Sequence, residues 1–245
     1  VPARGADLLK ADDTPWEDLA EWWIGEVADD PTYRNELVPL LTELIGNPTG
    51  RVLDLGCGDG LAMGTLRMDV LGCDLSPGLA ARAARHGPAV VTRLPDLRWL
   101  RDATVAATYS VMVLEHLPTL DGFFEEAHRV TQGGGRLVVI SNHPAYTPPG
   151  AGPLIDQSDG EVLWRWGPYF SEASGRVPAG DGTVTFHHRP MPSILNSAAR
   201  AGWSLERFEE MGLSPESVAQ NPGLVGQEHF PRVIGLVWSK DATVS

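Results

Sequence analysis

The sequence predicts an α/β fold, doubly wound around a mostly parallel sheet. Three observations carry this. Short apolar runs alternate with helical patterns from residue 51 to residue 141. A glycine-rich turn, RVLDLGCGDG at 51–60, joins the first apolar run to the next helical pattern. Helix-start signals such as Ser76-Pro77 then recur between the runs.

The elements follow in order. Thr14, Pro15 and Glu17 form a capping-box pattern that predicts a helix over 15–27, and Asp30-Pro31 repeats the start signal. Leu37, Val38, Leu41, Leu44 and Ile45 recur at helical spacing, and Gly46 stops that helix. The core then reads as strand 51–55, helix 61–66, strand 69–73, helix 77–86 and strands 89–92 and 106–113. A helix over 120–130 and a strand over 136–141 complete it, with Gly133 to Gly135 turning the chain between them. Residues 142–188 break the rhythm; they are rich in Gly, Pro and aromatics and too long for an ordinary connection, which predicts a substrate-covering insertion. TVTFHHR at its end reads as a short extended segment. A helix over 191–202 and strands over 203–211 and 231–240, an antiparallel pair, close the chain.

One domain of 245 residues is expected: a cap at 1–49, a core at 50–141, the insertion at 142–188 and C-terminal elements at 189–245. The formal net charge of −13 repels phosphate backbones and anionic lipid, so no nucleic-acid or membrane partner is expected. Arg93, Arg98 and Arg101 are the candidates for a local basic patch. No run of 18 apolar residues occurs and VPARGADLLK carries no hydrophobic signal region, which predicts a cytoplasmic protein. Cys57 and Cys73 are read as free thiols that fill space rather than react, and no zinc spacing appears.

A glycine turn after a strand suggests a phosphate cradle. Two details oppose that. Gly56, Gly58 and Gly60 give GxGxG rather than GxGxxG, and Asp54 stands two residues before the first glycine, where it repels phosphate and welcomes a cation. Asp74 ends the second strand 20 residues later, where a carboxylate accepts hydrogen bonds from ribose hydroxyls. A ribose without phosphate and with a cationic tail describes S-adenosylmethionine.

The series VLDLGCGDG, GCDLSP, YSVMVLEHL and GGGRLVVISNHP, spanning 50–144, resembles the class I S-adenosylmethionine-dependent methyltransferases. The N-terminal helices and HHRP resemble their small-molecule branch, which includes ubiquinone-type O-methyltransferases. The resemblance implies a Rossmann-like, seven-stranded sheet with an N-terminal helical cap and an insertion after the fifth strand. It implies that Asp54, Gly56, Cys57, Gly58 and Gly60 hold the methionine part and Asp74 with Leu75 the ribose. Val111 and Met112 then follow the cofactor edge, Arg93 or Leu94 stands at the adenine position with Leu94 taken as the candidate, and Tyr33 lies near the sulfonium or packs in the core. Ubiquinone-type enzymes bind a divalent metal partly through a Glu three residues before the Glu-His pair; Met112 stands there, so no metal is expected.

Three histidines are candidates for a base. His143 follows the fifth strand at the edge that faces the transferring methyl in the family, and its ordinary pKa near 6.5 leaves it able to accept a proton. His116 follows the fourth strand, as a base or as a polar cap. His187 and His188 point to opposite faces of one extended segment, so one at most serves substrate, and His187 is taken as the candidate. Trp16, Trp22 and Trp23 make the first helix amphipathic or line a pocket, and Trp164, Trp166, Tyr169 and Phe170 suggest an apolar or aromatic acceptor or a lid core. Methyl transfer to a small molecule in biosynthetic or secondary metabolism is the expected function. The alternative is a cofactor-binding protein of this fold with a cyclase-like or regulatory role.

Overall fold

The computed structural model describes residues 14–29 and 32–242. In chain order the elements are α1 (Ala20–Asp29), α2 (Val38–Ile45), β1 (Val52–Leu55), α3 (Leu61–Thr65), β2 (Val70–Asp74), α4 (Pro77–Ala83), β3 (Ala89–Val91), β4 (Val105–Val111), α5 (Phe123–Val130) and β5 (Thr131–Asn142). There follow β6 (Gly152–Ile155), β7 (Val162–Arg165), β8 (Ala173–Ala179), β9 (Gly182–His188), α6 (Met191–Arg200), β10 (Ser204–Met211), α7 (Pro215–Gln220) and β11 (Val233–Ser239).

Seven strands form one sheet in the order β3-β2-β1-β4-β5-β11-β10. The first five are parallel, and β11 runs antiparallel to both β5 and β10. The strand order reverses between β1 and β4, which opens a crevice beyond their C-terminal ends.

Alternation along the strands assigns the two faces. Leu53, Leu55, Leu137 and Val139 pack on one side against Phe123, Phe124 and Ala127 of α5 and Ile194 and Ala198 of α6. Val52, Tyr109, Val138 and Ile140 pack on the other against Leu41, Leu44 and Ile45 of α2 and Met63 of α3. Asp54 shares the second face with Val52, so its carboxyl is carried into the protein rather than into solvent.

Several elements differ from the expectation. The first helix starts at Ala20 because the capping-box side chains have distant partners: Thr14 Oγ1 accepts the Thr185 N–H at 3.0 Å, and Glu17 accepts the Gly78 N–H at 2.9 Å. The second helical segment opens as a π turn, Tyr33–Leu37, before α2, since Pro39 supplies no N–H to an α ladder there. The Asp30-Pro31 signal lies outside the described residues. β5 starts at Thr131 rather than at 136, and Gly133 to Gly135 form a bulge where the pairing with β4 shifts register. The insertion holds two hairpins, β6–β7 and β8–β9, each paired only within itself. β10 and β11 are antiparallel neighbours as expected, although residues 212–232, with α7, separate them.

Candidate active site

The turn after β1 is shaped by two backbone bonds and three left-handed glycines. Gly56 and Cys57 both donate to the Cys73 carbonyl at 2.9 Å, which ties the loop to the end of β2. Gly56 adopts φ +79, and a Cβ there would lie 2.6 Å from Val113 Cγ2. Gly58 adopts φ +53 beneath the indole of Trp23. Any side chain at these positions would meet strain or fill the crevice. Gly60, at φ +87, packs instead against Ala83 of α4 and stands apart from the cleft wall.

Asp54 is 2 % exposed, and burial, reinforced by the charge of Asp74, pushes its carboxyl up to about 8. Tyr109 lies beside it without a well-formed hydrogen bond, its phenol pushed up by burial and by Asp54. A buried carboxyl in this state is matched to a cation that would hold it ionised. The Asp74 oxygens accept the Gly58 N–H at 2.8 Å and the Ser76 N–H at 2.9 Å, one bond to each oxygen. Burial raises its pKa, while the backbone N–H groups of Ser76, Gly58 and Leu75 lower it. Each oxygen keeps a further lone pair, the arrangement two adjacent hydroxyls require.

The cleft brings together Tyr33, Asp54, Gly56, Cys57, Gly58, Asp74, Leu75, Leu94, Val111 and Met112. His116 lines it as well. Met112, at φ 55, turns the chain left-handed out of β4, and Val113, His116, Leu117 and Pro118 beyond it line the crevice. Burial pushes the thiols of Cys57 and Cys73 far up, so neither is a ready nucleophile, and the Tyr33 phenol rises with burial and with Asp54, Asp59 and Glu115 around it.

A second, aromatic pocket adjoins the first and shares Trp16, Trp23, Tyr33, Met112 and His116 with it. Trp22, Phe186 and Val184 close its far side. The N-terminal segment forms this roof because it is pinned at both ends: Thr14 to β9, and Glu17 to Ser76 and Gly78 at the start of α4.

The three candidate histidines sit apart. His116 lies between the rings of Trp16 and Phe186, each centred 4.9 Å away, and its Nδ1 faces the Thr185 carbonyl at 3.3 Å. A carbonyl can only accept, so Nδ1 carries the proton and Nε2 is left as the acceptor nitrogen. Burial lowers its pKa, partly offset by Glu115 and by the Thr185 carbonyl. His143 lies outside the cleft, with both nitrogens engaged: Nδ1 accepts the Ala145 N–H at 2.9 Å and Nε2 faces Glu210 Oε1 at 2.8 Å. Its side chain closes the turn after β5 instead of reaching the shared pocket wall. His187 lines a small void beside Glu115 and Arg189, also outside the cleft. His188 is 1 % exposed and bridges Thr147 Oγ1 and the Tyr169 carbonyl.

Sequence reasoning missed the roof contacts of Thr14 and Glu17, whose pattern also spells a local cap, and the pocket residues Asn142 and Phe186. Trp164 stacks on Phe230 at 3.6 Å rather than facing the shared pocket, and Arg98 pairs with Asp96 at 2.7 Å.

Residues 53–139 match the family model of the methyltransferase domain. An uncharacterised methyltransferase of Emericella nidulans is 29 % identical over 228 residues, covering 79 % of this chain and 71 % of that one. A demethylmenaquinone methyltransferase of Beutenbergia cavernae is 37 % identical over 118 residues, covering 44 % and 48 %. A crystal structure of an S-adenosylmethionine-dependent methyltransferase from Mesorhizobium loti superposes with TM-score 0.68 at 26 % identity, covering 82 % of this chain and 95 % of that one. The chain spans 37 % to 71 % of the length of the curated relatives it matches. With this sheet order, this glycine turn and these matches, residues 53–139 form a methyltransferase domain in a chain whose fold is that of S-adenosylmethionine-dependent methyltransferases.

Proposed function

We propose that the protein transfers a methyl group from S-adenosylmethionine to a small, apolar or aromatic acceptor held against the N-terminal indoles. The observation that carries this reading is the wall shared by the two pockets, on which Tyr33, Met112 and His116 lie between the carboxylate-lined crevice and the aromatic one. S-adenosylmethionine supplies, when bound, a sulfonium methyl that is already strongly electrophilic. Asp54 and the Asp74 oxygens fit its cationic tail and its ribose.

The chain's own contribution is then alignment and proton removal. Fixing two reactants in one geometry supplies on the order of 7 to 11 kcal/mol. Trp16 and Trp23 exclude water from the shared wall, and Tyr33 offers its ring face to a cation, an attraction of about 0.5 to 2 kcal/mol. His116 Nε2 accepts the acceptor's proton as the new bond to carbon forms. A depressed pKa suits this, because the imidazole is neutral and competent at pH 7.

The acidic chain and the aromatic pocket both favour a small molecule over nucleic acid. The related protein from Beutenbergia cavernae is named as acting on demethylmenaquinone, which agrees with a small acceptor. The test is S-adenosylhomocysteine release across a panel of phenols, amines and quinols. Release with at least one neutral aromatic acceptor supports the reading. Cofactor binding with no release across the whole panel favours the non-methylating alternative.

A further inference from the structure

We propose that the acceptor subsite recognises a hydrogen-bond donor, a hydroxyl or an amine, through the side-chain oxygen of Asn142, with Glu115 as the positioning residue that fixes how Asn142 points. The proposal rests on the reading that the aromatic pocket holds the acceptor.

Glu115 stands in the turn after β4 and is 3 % exposed. Its Oε2 accepts the Ser141 hydroxyl at 2.9 Å. Its Oε1 accepts the Asn142 backbone N–H at 3.3 Å and the Asn142 Nδ2–H at 2.6 Å. A carboxylate offers only acceptor atoms, so the amide of Asn142 turns its nitrogen toward Glu115. Asn142 also lines the aromatic pocket, where the polar side-chain atom it has left is Oδ1.

His116 adds a second acceptor to the same pocket, because its Nδ1 proton is directed to Thr185. An O–H can donate to one of these two acceptors at a time and an amine to both, whereas an ether has nothing to donate to either. Glu26 lines the same pocket, and Asp54 and Asp59 line the crevice beside it, which opposes an anionic acceptor. The acceptor class is therefore a neutral or cationic molecule with an O–H or N–H on an aromatic body. Its discrimination comes from an acceptor atom that would be stranded by any ligand lacking that hydrogen.

The test uses phenol, anisole and benzoate as probes, titrated by NMR into the full chain saturated with S-adenosylhomocysteine. Phenol is expected to bind about tenfold tighter than anisole or benzoate, the value of one buried hydrogen bond. Asn142→Leu keeps the branched shape without the acceptor and should lower the phenol-to-anisole ratio, leaving only the part due to His116 Nε2, while the affinity for S-adenosylhomocysteine is unchanged. Glu115→Gln can offer its own oxygen or nitrogen, so Asn142 is free to invert, and the same ratio should fall as it does in Asn142→Leu. A merely structural role for Glu115 would weaken all probes alike and keep the ratio. Equal binding of phenol and anisole, a preference that Asn142→Leu leaves undiminished, or no probe binding while S-adenosylhomocysteine still binds would overturn the proposal. Failure to bind S-adenosylhomocysteine would instead overturn the methyltransferase reading, and this proposal with it.

Discussion

Glu17 accepts the Gly78 N–H at 2.9 Å, fastening the N-terminal segment to the first turn of α4 across the mouth of the cleft. The same carboxylate accepts the Ser76 hydroxyl, while Ser76 Oγ accepts the Leu79 N–H in its role as N-cap. These contacts predict that the roof loosens where Glu17 and Thr14 hold it when the cofactor enters. Glu17→Ala should lower stability by about 1 kcal/mol, the usual loss of a helix cap. It should also speed dissociation of S-adenosylhomocysteine, read from the fluorescence of Trp16, Trp22 and Trp23. An unchanged dissociation rate would show that the roof does not gate the cleft.

The raised pKa of Asp54, about 8, sets a pH dependence. Between pH 4 and 8 the folded chain holds a proton there that the unfolded chain has released. Stability of the free protein therefore falls as pH rises through this window. A cationic ligand favours the ionised carboxylate, so binding S-adenosylmethionine releases a proton and affinity rises with pH up to about 8. Calorimetry at pH 6.5 in buffers of different ionisation enthalpy should report that release, and Asp54→Asn should remove it. Proton uptake, or a release that Asp54→Asn leaves intact, contradicts this role.

His116 and His143 make opposite predictions. Replacing His116 with Ala should lower kcat by about 100- to 10,000-fold for a hydroxyl acceptor, with cofactor affinity near normal. Replacing His143 should leave kcat within a few fold and lower the melting temperature, because its hydrogen bonds to Ala145 and Glu210 close the turn after β5. The reverse pattern would return the base to His143.

Gly56→Ala tests the glycine turn. Its φ of +79 and the 2.6 Å approach of a Cβ to Val113 make the substitution cost on the order of 1–3 kcal/mol. Chemical denaturation measures this, and a neutral effect would show that the loop relaxes freely.

The core was legible where signals are local. Apolar runs such as VLDL and VLGCD placed β1 and β2 within a residue, and Ser76-Pro77 marked the start of α4, which ends at Ala83, three residues before the expected 86. Thr14 and Glu17 misled because a capping box and a long-range latch use the same residue types. The β8–β9 hairpin did announce itself: Ala179 pairs with Gly182 around Gly180-Asp181, a two-residue turn with Gly180 at φ 54. That signal was hidden by reading the whole segment as an irregular insertion. Asp54 and Asp74 could be placed from spacing alone, whereas His143, Asn142 and Phe186 could not. Which histidine meets the cleft depends on how the N-terminal roof and β9 close over it, and no local pattern encodes that closure.

Asp54 and Asp74 line one cleft, the proposed seat of S-adenosylmethionine. Isothermal titration of S-adenosylhomocysteine into the wild-type chain and into Asp74→Ala tests it most directly. One-to-one binding that weakens at least about tenfold on loss of the ribose-facing carboxylate is the predicted result. No binding to the wild type, or equal affinity for the two proteins, would contradict it.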